Sequence, residues 1–355
     1  MKMKSRKIKS RKIKTRKTKI KIKQKNEKRK LRKTEKRKYK KHQLKGGKKE
    51  KINQKAYHQY LNLGKTEQPK FKEIDFNIQT NPDITNISRN ILKDTINSST
   101  YSLLPYYFIP DIPVESHDDH VEQFNSGNCV FFAKKILNIL KKYDIQGYLI
   151  PATTLKRLMQ PGFPEFCHCV VLVKTDSDFI IYEPAFYIIE PIIVPIDGTP
   201  KKHFIQVYEK YWVYRYDSRE NKIFVEDETG ELLLYYYLVN IENPSTAISY
   251  PVNINNRRIP IVKYNTNNNK KEAHLSIRLD TNFLEGYNTQ NSSDDGWFPR
   301  LNYKELLDLP ISESAKKERI SSWEGLSDQQ CNSFNCDKSD LINKIYLIID
   351  YHNRL

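Results

Sequence analysis

Three residues, Cys129, His168 and Glu183, have the types and the spacing that thiol-dependent nucleophilic catalysis requires. A cysteine attacks a carbonyl carbon as a thiolate, it needs a base within hydrogen-bond reach, and that base needs a third group to orient it. His168 follows Cys129 by 39 residues, and Glu183 follows His168 by 15 residues. We therefore interpret Cys129 as a candidate nucleophile, His168 as its base and Glu183 as the acid that orients the base.

The stretch that begins at Cys129 predicts an amphipathic helix with one apolar stripe. Ser126 or Asn128 can cap this helix, and Gly127 allows a sharp turn into it. A thiol in the first turn faces free N–H groups and the positive end of the helix dipole, which favour a thiolate. The alternative is that Cys129 is a small buried hydrophobic residue. The predicted stripe consists of Cys129, Phe132, Ala133, Ile136, Leu137 and Leu140.

Two predicted strands hold the other two residues of the candidate triad. His168 opens the segment HCVVLV, and Glu183 closes the segment DFIIYE. If residues 168–173 pair with residues 178–183 through the turn KTDSD, His168 lies directly opposite Glu183. We expect Glu183 to accept the Nδ1–H of His168, so that Nε2 faces the thiol.

A cysteine at a helix N-terminus, followed by a histidine and then by an acid on adjacent strands, resembles the order found in papain-like folds. The two gaps are similar to those of the arylamine N-acetyltransferases, which are related to the transglutaminases. The segment YEPAFYIIEPIIVP, in which a small residue and an aromatic residue follow the acid, also resembles the acid strand of that family. The resemblance covers about residues 83–240.

This resemblance implies acyl transfer, in which Cys129 attacks an acyl carbon and acyl-coenzyme A is a candidate donor. Gln123 stands six residues before Cys129, where papain-like proteases place a glutamine of the oxyanion hole. The sequence departs from the acetyltransferases in two ways, because NSGNC replaces their Arg-Gly-Gly motif and the acid is a glutamate. Transfer to an amine and hydrolysis of a peptide-like substrate therefore both stay open.

The net charge of +19 is concentrated at the N-terminus. Residues 1–55 contain 29 Lys and Arg residues and three acids, whereas the remaining 300 residues have a net charge of −7. Dense positive charge with few apolar residues predicts a disordered tail. Such a tail binds nucleic acid or another polyanion, or acts as a nuclear import signal.

Composition and pattern predict an α+β fold in which the helix carrying Cys129 precedes an antiparallel β-sheet or barrel. We expect a disordered tail (1–55), a linker (56–82), a papain-like α+β domain (83–285) and a mostly helical C-terminal extension (286–355). The sequence has no run of 18 apolar residues and no apolar N-terminal segment, so we predict neither a membrane span nor a secretory signal.

Five cysteines without a dense framework predict free thiols in a reducing, intracellular compartment. The tail is compatible with the nucleus, the nucleolus or the particle of a large DNA virus. We predict no metal site at the run Cys167, His168 and Cys169, because successive side chains of a strand point to opposite faces. We interpret Cys167 and Cys169 as core residues.

Two hypotheses follow for the chain as a whole. In the first, it is a thiol-dependent acyltransferase or hydrolase whose tail sets its location. In the second, it is a catalytically inert papain-like fold that acts as a structural or virion protein tethered to nucleic acid. The two differ in the reactivity of Cys129, because a catalytic thiolate is alkylated quickly at neutral pH and a buried structural thiol is not.

Overall fold

An α+β architecture is seen in the computed structural model of the chain, as the sequence predicts. A helix that begins at Cys129 is followed by antiparallel strands, and further helices lie near the C-terminus. The structure describes residues 71–108, 121, 124–156, 166–241, 258–267, 270–289, 296–334 and 336–354.

Six α-helices lie within these described residues. Two of them precede the main run of strands of the largest sheet, and the other four follow the last strands. None of the described helices is long and apolar enough to cross a membrane. Their bounds are α1 (Ile84–Ser98), α2 (Cys129–Lys141), α3 (Tyr303–Asp308), α4 (Glu313–Ser321), α5 (Asp328–Ser333) and α6 (Lys338–Asn353).

The described strands form three sheets of very different size. In chain order they are β1 (Phe71–Glu73), β2 (Ile78–Gln79), β3 (Thr100–Ser102), β4 (Ser126–Gly127), β5 (Tyr148–Ala152), β6 (His168–Thr175), β7 (Asp178–Tyr182), β8 (Ile192–Pro195), β9 (Lys201–Ile205), β10 (Lys210–Asp217), β11 (Lys222–Asp227), β12 (Leu232–Tyr237), β13 (Val239–Ile241), β14 (Arg258–Asn265), β15 (Lys270–Arg278), β16 (Phe283–Asn288) and β17 (Leu301–Asn302).

The largest sheet runs β8-β7-β6-β5-β12-β11-β10-β9, and β2 pairs with one end of β6. It curls into a near-barrel. The Tyr236 hydroxyl of β12 lies 3.4 Å from Glu183 Oε2 after β7, although β5 and β6 lie between these strands. Adjacent strands are about 4.8 Å apart, so a flat sheet would keep the two side chains much further from each other. The two edge strands of this sheet, β8 and β9, also contact each other, because His203 Nε2 of β9 hydrogen-bonds to the Ile193 carbonyl of β8 at 2.8 Å.

The two faces of β6 contribute to different cores, as the alternation of a strand requires. One face points into the near-barrel, where apolar residues from all its main strands meet. The opposite face packs against α1 and α2. Val170 and Leu172 lie on the inner face, and Cys169, Val171 and Val173 lie on the face toward the helices.

The C-terminal helices pack against the sheet β17-β16-β15-β14-β3-β4. Phe131 and Phe132 of α2 lie in the same core as Ile345 and Ile348 of α6. The predicted extension from residue 286 is therefore built into the core beside the candidate site, and its first residues complete β16. An apolar helical stripe must be buried against another element, but the stripe alone does not identify which one.

Two short strands lie in the stretch that the sequence predicts to be a linker. β1 pairs with β13, and β2 adds in parallel to the end of β6. Strand edges offer unpaired N–H and C=O groups, so they can recruit short polar segments that have no apolar pattern of their own. The tail, residues 1–55, lies outside the described residues, and its disorder stays a prediction.

Candidate active site

Cys129 is the first residue of α2, and Asn128 caps this helix. The Asn128 side chain accepts hydrogen bonds from the backbone N–H groups of Val130 at 3.0 Å and Phe131 at 3.4 Å. Of the two predicted caps, Asn128 rather than Ser126 has this role. The cap leaves the Cys129 side chain, which is 2 % exposed, at the positive end of a 13-residue helix.

The turn before Cys129 is held by close packing. A Cβ atom on Gly127 would lie 2.5 Å from the Phe131 Cβ, so no larger residue fits without a shift. The sequence predicts that Gly127 allows the sharp turn into the helix, but the residue with a left-handed backbone conformation is Asn125, at φ 50°. The Tyr106 hydroxyl donates a hydrogen bond to Asn128 Oδ1 at 2.8 Å and anchors the cap. These contacts fix the direction in which the thiol points.

His168 and Glu183 are in direct contact, as the sequence predicts. His168 Nε2 lies 2.7 Å from Glu183 Oε2, and the two side chains are 4 % and 0 % exposed. The same carboxylate oxygen accepts a longer hydrogen bond from the Tyr236 hydroxyl at 3.4 Å. The Phe186 ring stacks on the imidazole at 4.6 Å between centroids, so the histidine is held on its flat face as well as at its edge.

The pairing that brings them together differs from the predicted one by two residues. The ladder joins Val171 to Tyr182, so continuing it would place Glu183 opposite Val170 rather than opposite His168. The reason is the turn, because β6 and β7 are joined by two residues and not by the longer turn predicted from the sequence. Turn length sets the register of a hairpin.

A shift of two residues keeps every side chain on the same face of the sheet. Glu183 therefore still lies on the His168 side, but it reaches the imidazole along a diagonal of the ladder. Diagonal neighbours are further apart than directly opposite ones. The extra methylene of glutamate, relative to aspartate, suits this longer reach.

The ring nitrogens of His168 have the opposite roles from those predicted. Nε2 hydrogen-bonds to Glu183, and this leaves Nδ1 as the nitrogen that interacts with the Cys129 thiol. Cys129 also accepts a hydrogen bond from the backbone N–H of Cys169. Its sulfur therefore lies close to the β6 backbone, and Nδ1 is the ring nitrogen nearer to that backbone.

The contacts of Cys129 and His168 favour an ion pair between them. Hydrogen bonds from the Cys169 thiol and from His168 hold the pKa of Cys129 well below its usual value, against the opposing effect of burial. Burial alone would lower the pKa of His168, but the charge of Glu183 and the contact with Cys129 raise it to about 10. Burial raises the pKa of Glu183, and the positive charge of His168 opposes this effect.

These pKa shifts define the pH range in which the ion pair between Cys129 and His168 exists. The thiolate and imidazolium coexist from the lowered pKa of Cys129 up to the His168 pKa of about 10. Because the folded pKa of His168 exceeds its unfolded value, its protonation stabilises the fold fully below about pH 6.5. This stabilising contribution is lost as the pH rises through about 10. The lowered pKa of Cys129 thus favours a nucleophile that is charged before the substrate binds.

Two residues of this site are absent from the sequence prediction. Tyr236 comes from β12, and no local pattern links it to Glu183. Cys169 is predicted only as a core residue, although strand alternation does place it on the helix-facing side of β6. Gln123, the predicted oxyanion-hole residue, lies outside the described residues and stays a prediction. Among the described residues, no group of three or more His, Cys, Asp or Glu side chains could hold a metal ion.

No family model matches the sequence, and no curated protein matches it. Solved structures do show similarity. Arylamine N-acetyltransferases are among the solved structures similar to this chain. They are the enzymes that the order and spacing of Cys129, His168 and Glu183 resemble.

One similar structure is an N-arylamine acetyltransferase of Mycobacterium smegmatis, at 11% identity and a TM-score of 0.46, covering 75% of this chain and 90% of that one. A second is a Bacillus cereus arylamine N-acetyltransferase with a Cys-His-Glu catalytic triad, at 13% identity and a TM-score of 0.41, covering 75% and 96%. A third is the Mycobacterium marinum enzyme in complex with CoA, at 10% identity and a TM-score of 0.43, covering 74% and 92%.

Proposed function

We propose that this chain catalyses acyl transfer through a covalent intermediate on Cys129. The observation that carries the proposal is the contact chain from the Cys129 sulfur through the His168 imidazole to the buried Glu183 carboxylate. This arrangement supplies a thiolate nucleophile, a proton carrier and a group that orients the carrier. The substrate class is an activated acyl compound, such as an acyl-coenzyme A thioester, with an amine or water as the acceptor.

In the first half-reaction, the Cys129 thiolate forms a bond to the carbonyl carbon and the C=O electron pair moves onto oxygen. The intermediate collapses, the bond to the leaving group breaks, and the leaving group takes the Nδ1 proton of His168. Glu183 keeps its charge throughout and accepts the Nε2–H of the ring. The imidazolium formed before the reaction is stabilised by this carboxylate.

In the second half-reaction, the neutral His168 acts as a base. Nδ1 takes a proton from an amine or a water molecule as that molecule attacks the thioester carbon, and Cys129 leaves as a thiolate. An amine acceptor gives an N-acyl product, and water gives hydrolysis. The low pKa of Cys129 favours this step because it makes the sulfur a good leaving group.

Intact-mass spectrometry tests the proposal directly. The full chain is incubated with acetyl-coenzyme A, with an activated phenyl acetate and with a peptide ester, each in separate samples. We expect one acyl group on Cys129 from at least one of these donors, and its loss when an arylamine or hydroxylamine is added. The proposal fails if no donor acylates the folded protein, or if Cys129→Ala is acylated to the same extent as the wild type.

We further propose that residues 1–55 bind nucleic acid or another polyanion without base specificity. The support is the sequence, in which 29 Lys and Arg residues face only three acids and no base-reading motif is present. Tracts of this type also direct proteins to the nucleus, so the proposal extends to a nuclear, nucleolar or virion location.

The salt dependence of DNA binding tests the role of this tail. If about six phosphates are neutralised, affinity falls about 10³-fold or more between about 50 and 200 mM salt. A chain that starts at residue 56 has a net charge of −7 and should lose this binding. Duplexes of different sequence should bind equally well. Equal affinity with and without the tail, measured by fluorescence anisotropy, would contradict the proposal.

A further inference from the structure

The strands β14, β15 and β16 have one apolar face and one polar face. Their apolar side chains belong to the core beneath the C-terminal helices. Successive side chains of a strand point to opposite sides, so the intervening residues lie on the other face of the sheet. The charged groups of β15 and β16 are thus gathered on that side. The residues of these two strands on the polar face include His274, Ser276, Arg278 and Glu285.

A single buried carboxylate, that of Glu285, lies among three arginines. Its oxygens are 3.1 Å from Arg300 Nη2, 3.4 Å from Arg278 Nη1 and 3.7 Å from Arg258 Nη2. The arginines come from three separate segments, which are the start of β14, the end of β15 and the residue before β17. Glu285 therefore orients three guanidinium groups that the chain supplies from distant positions.

Positive charge is in excess around this carboxylate. Arg258 and Arg278 lie directly opposite each other in the ladder, and like charges in that position destabilise a sheet. Asp280 accepts two hydrogen bonds from Arg278, each at 3.0 Å. Among the described residues, no other acid forms an ion pair with these three arginines. Arg258 and Arg300 thus share Glu285 as their one paired acid.

The guanidinium groups of Arg258 and Arg300 can contact a further anion. Arg258 is held in place, because its Nε donates a hydrogen bond to Ser276 Oγ at 2.8 Å. Arg300 contacts Glu285 through Nη2, and its side chain is 63 % exposed. Each guanidinium carries five N–H donors in a planar fork, which matches the oxygens of a phosphate. Two exposed forks fixed on one acid form a preorganised site for a phosphate.

His274 connects this charge cluster to an aromatic ring. Its Nε2 lies 3.3 Å from Arg258 Nη2 and acts as the acceptor, since a guanidinium can only donate. Its ring also contacts the Trp297 ring, at 5.5 Å between centroids. Trp297 is partly exposed, and Tyr287 holds it from the neighbouring strand at 5.3 Å. A fixed indole ring therefore lies about one side chain away from Arg258.

We propose that Arg258, Arg300 and Trp297 form a binding site for a phosphorylated nucleotide, with the phosphate on the two guanidinium groups and the base stacked on the indole ring. Every base has a π-face, so the site should accept different bases. Sites for single-stranded nucleic acid cover about 4–16 nucleotides, whereas one ring beside one charge cluster spans a single nucleotide. The ligand is thus a free nucleotide or a small molecule that contains one. The inference does not depend on the proposed acyl transfer.

Isothermal titration calorimetry on the full chain tests this site, with adenosine 3′,5′-bisphosphate as the probe. We expect saturable binding of one molecule per chain. Arg300→Gln should raise its Kd about tenfold or more, because it removes a charge-assisted hydrogen bond. Trp297→Leu should also raise the Kd of the bisphosphate about tenfold, through the loss of stacking. It should leave the Kd of inorganic phosphate unchanged.

Arg89→Gln is the matched control. Arg89 pairs with one acid, Glu190, at a half-exposed position, so this variant loses the same charge as Arg300→Gln. It should leave the Kd of the bisphosphate unchanged, and residues 1–55 are identical in all variants. Arg300→Lys keeps the charge but not the planar fork, so it should recover only part of the affinity.

Three results would overturn the proposal. The first is the absence of saturable binding at about 1 mM bisphosphate. The second is an equal loss of affinity in Arg89→Gln and Arg300→Gln, which would indicate attraction by net charge alone. The third is a bisphosphate that binds no more tightly than inorganic phosphate, which would exclude a role for Trp297. Melting temperatures show whether each variant is folded, and Arg300→Lys replaces Arg300→Gln if the latter unfolds.

Discussion

Replacing Cys129 with alanine is expected to lower the rate of acyl transfer by at least about 10⁴-fold while the protein stays folded. Loss of the nucleophile in subtilisin costs about 10⁶-fold in turnover, and the positions of the other groups do not compensate for it. The thiol fills little volume in the first turn of α2, so its removal should cost about 1 kcal/mol of stability. The corresponding change in melting temperature is a few degrees. Steady-state rates with the best acyl donor and calorimetry measure the two effects.

Cys331→Ala is the control for this experiment. Cys331 lies in α5 and is also 2 % exposed, so the variant loses a buried sulfur of the same kind. It packs in the core under the C-terminal helices and has no place in the candidate triad. We expect full activity and a similar change in melting temperature. Activity retained by Cys129→Ala, or lost equally in both variants, would contradict the assignment of the nucleophile.

Glu183→Gln is expected to lower the rate of acyl transfer by about 10⁴-fold, the loss seen for the equivalent change in serine proteases. The amide keeps the shape of the side chain, and its oxygen can still accept the hydrogen bonds of His168 and Tyr236. It cannot balance the charge of the imidazolium, so the pKa of His168 should fall and that of the Cys129 thiol should rise. Alkylation at pH 7 should slow accordingly.

Two further variants sharpen this prediction. Glu183→Asp keeps the charge but is one C–C bond, about 1.5 Å, shorter. Because Glu183 reaches His168 along a diagonal of the ladder, aspartate should recover only part of the rate. Glu190→Gln removes a carboxylate that pairs with Arg89 at a half-exposed position, and it should change neither rate nor thiol reactivity. If Glu183→Gln leaves the pH profile of the thiol as it is, Glu183 is a structural acid.

Local patterns in the sequence are sufficient to predict where α2 begins and on which face of β6 each side chain lies. The apolar stripe from Cys129 predicts a helix that the structure has, with Asn128 as its cap. Alternation along β6 predicts that His168 and Cys169 lie on opposite faces. Even with the register of the hairpin wrong by two residues, the contact between His168 and Glu183 is predicted correctly. Because side chains along a strand alternate with a period of two, a shift of two residues leaves each side chain on the same face of the sheet.

What the tertiary structure alone decides is which distant groups complete the site. The curvature of the sheet brings Tyr236 to Glu183, and the seating of α2 on β6 brings Cys169 to Cys129. The same seating turns Nδ1 of His168, and not Nε2, toward the thiol. These contacts join residues from separate elements, so they depend on how sheets curl and helices dock, and no periodicity along the chain encodes that. Helix and strand periods fix the side of an element on which a residue lies, whereas packing fixes what it meets there.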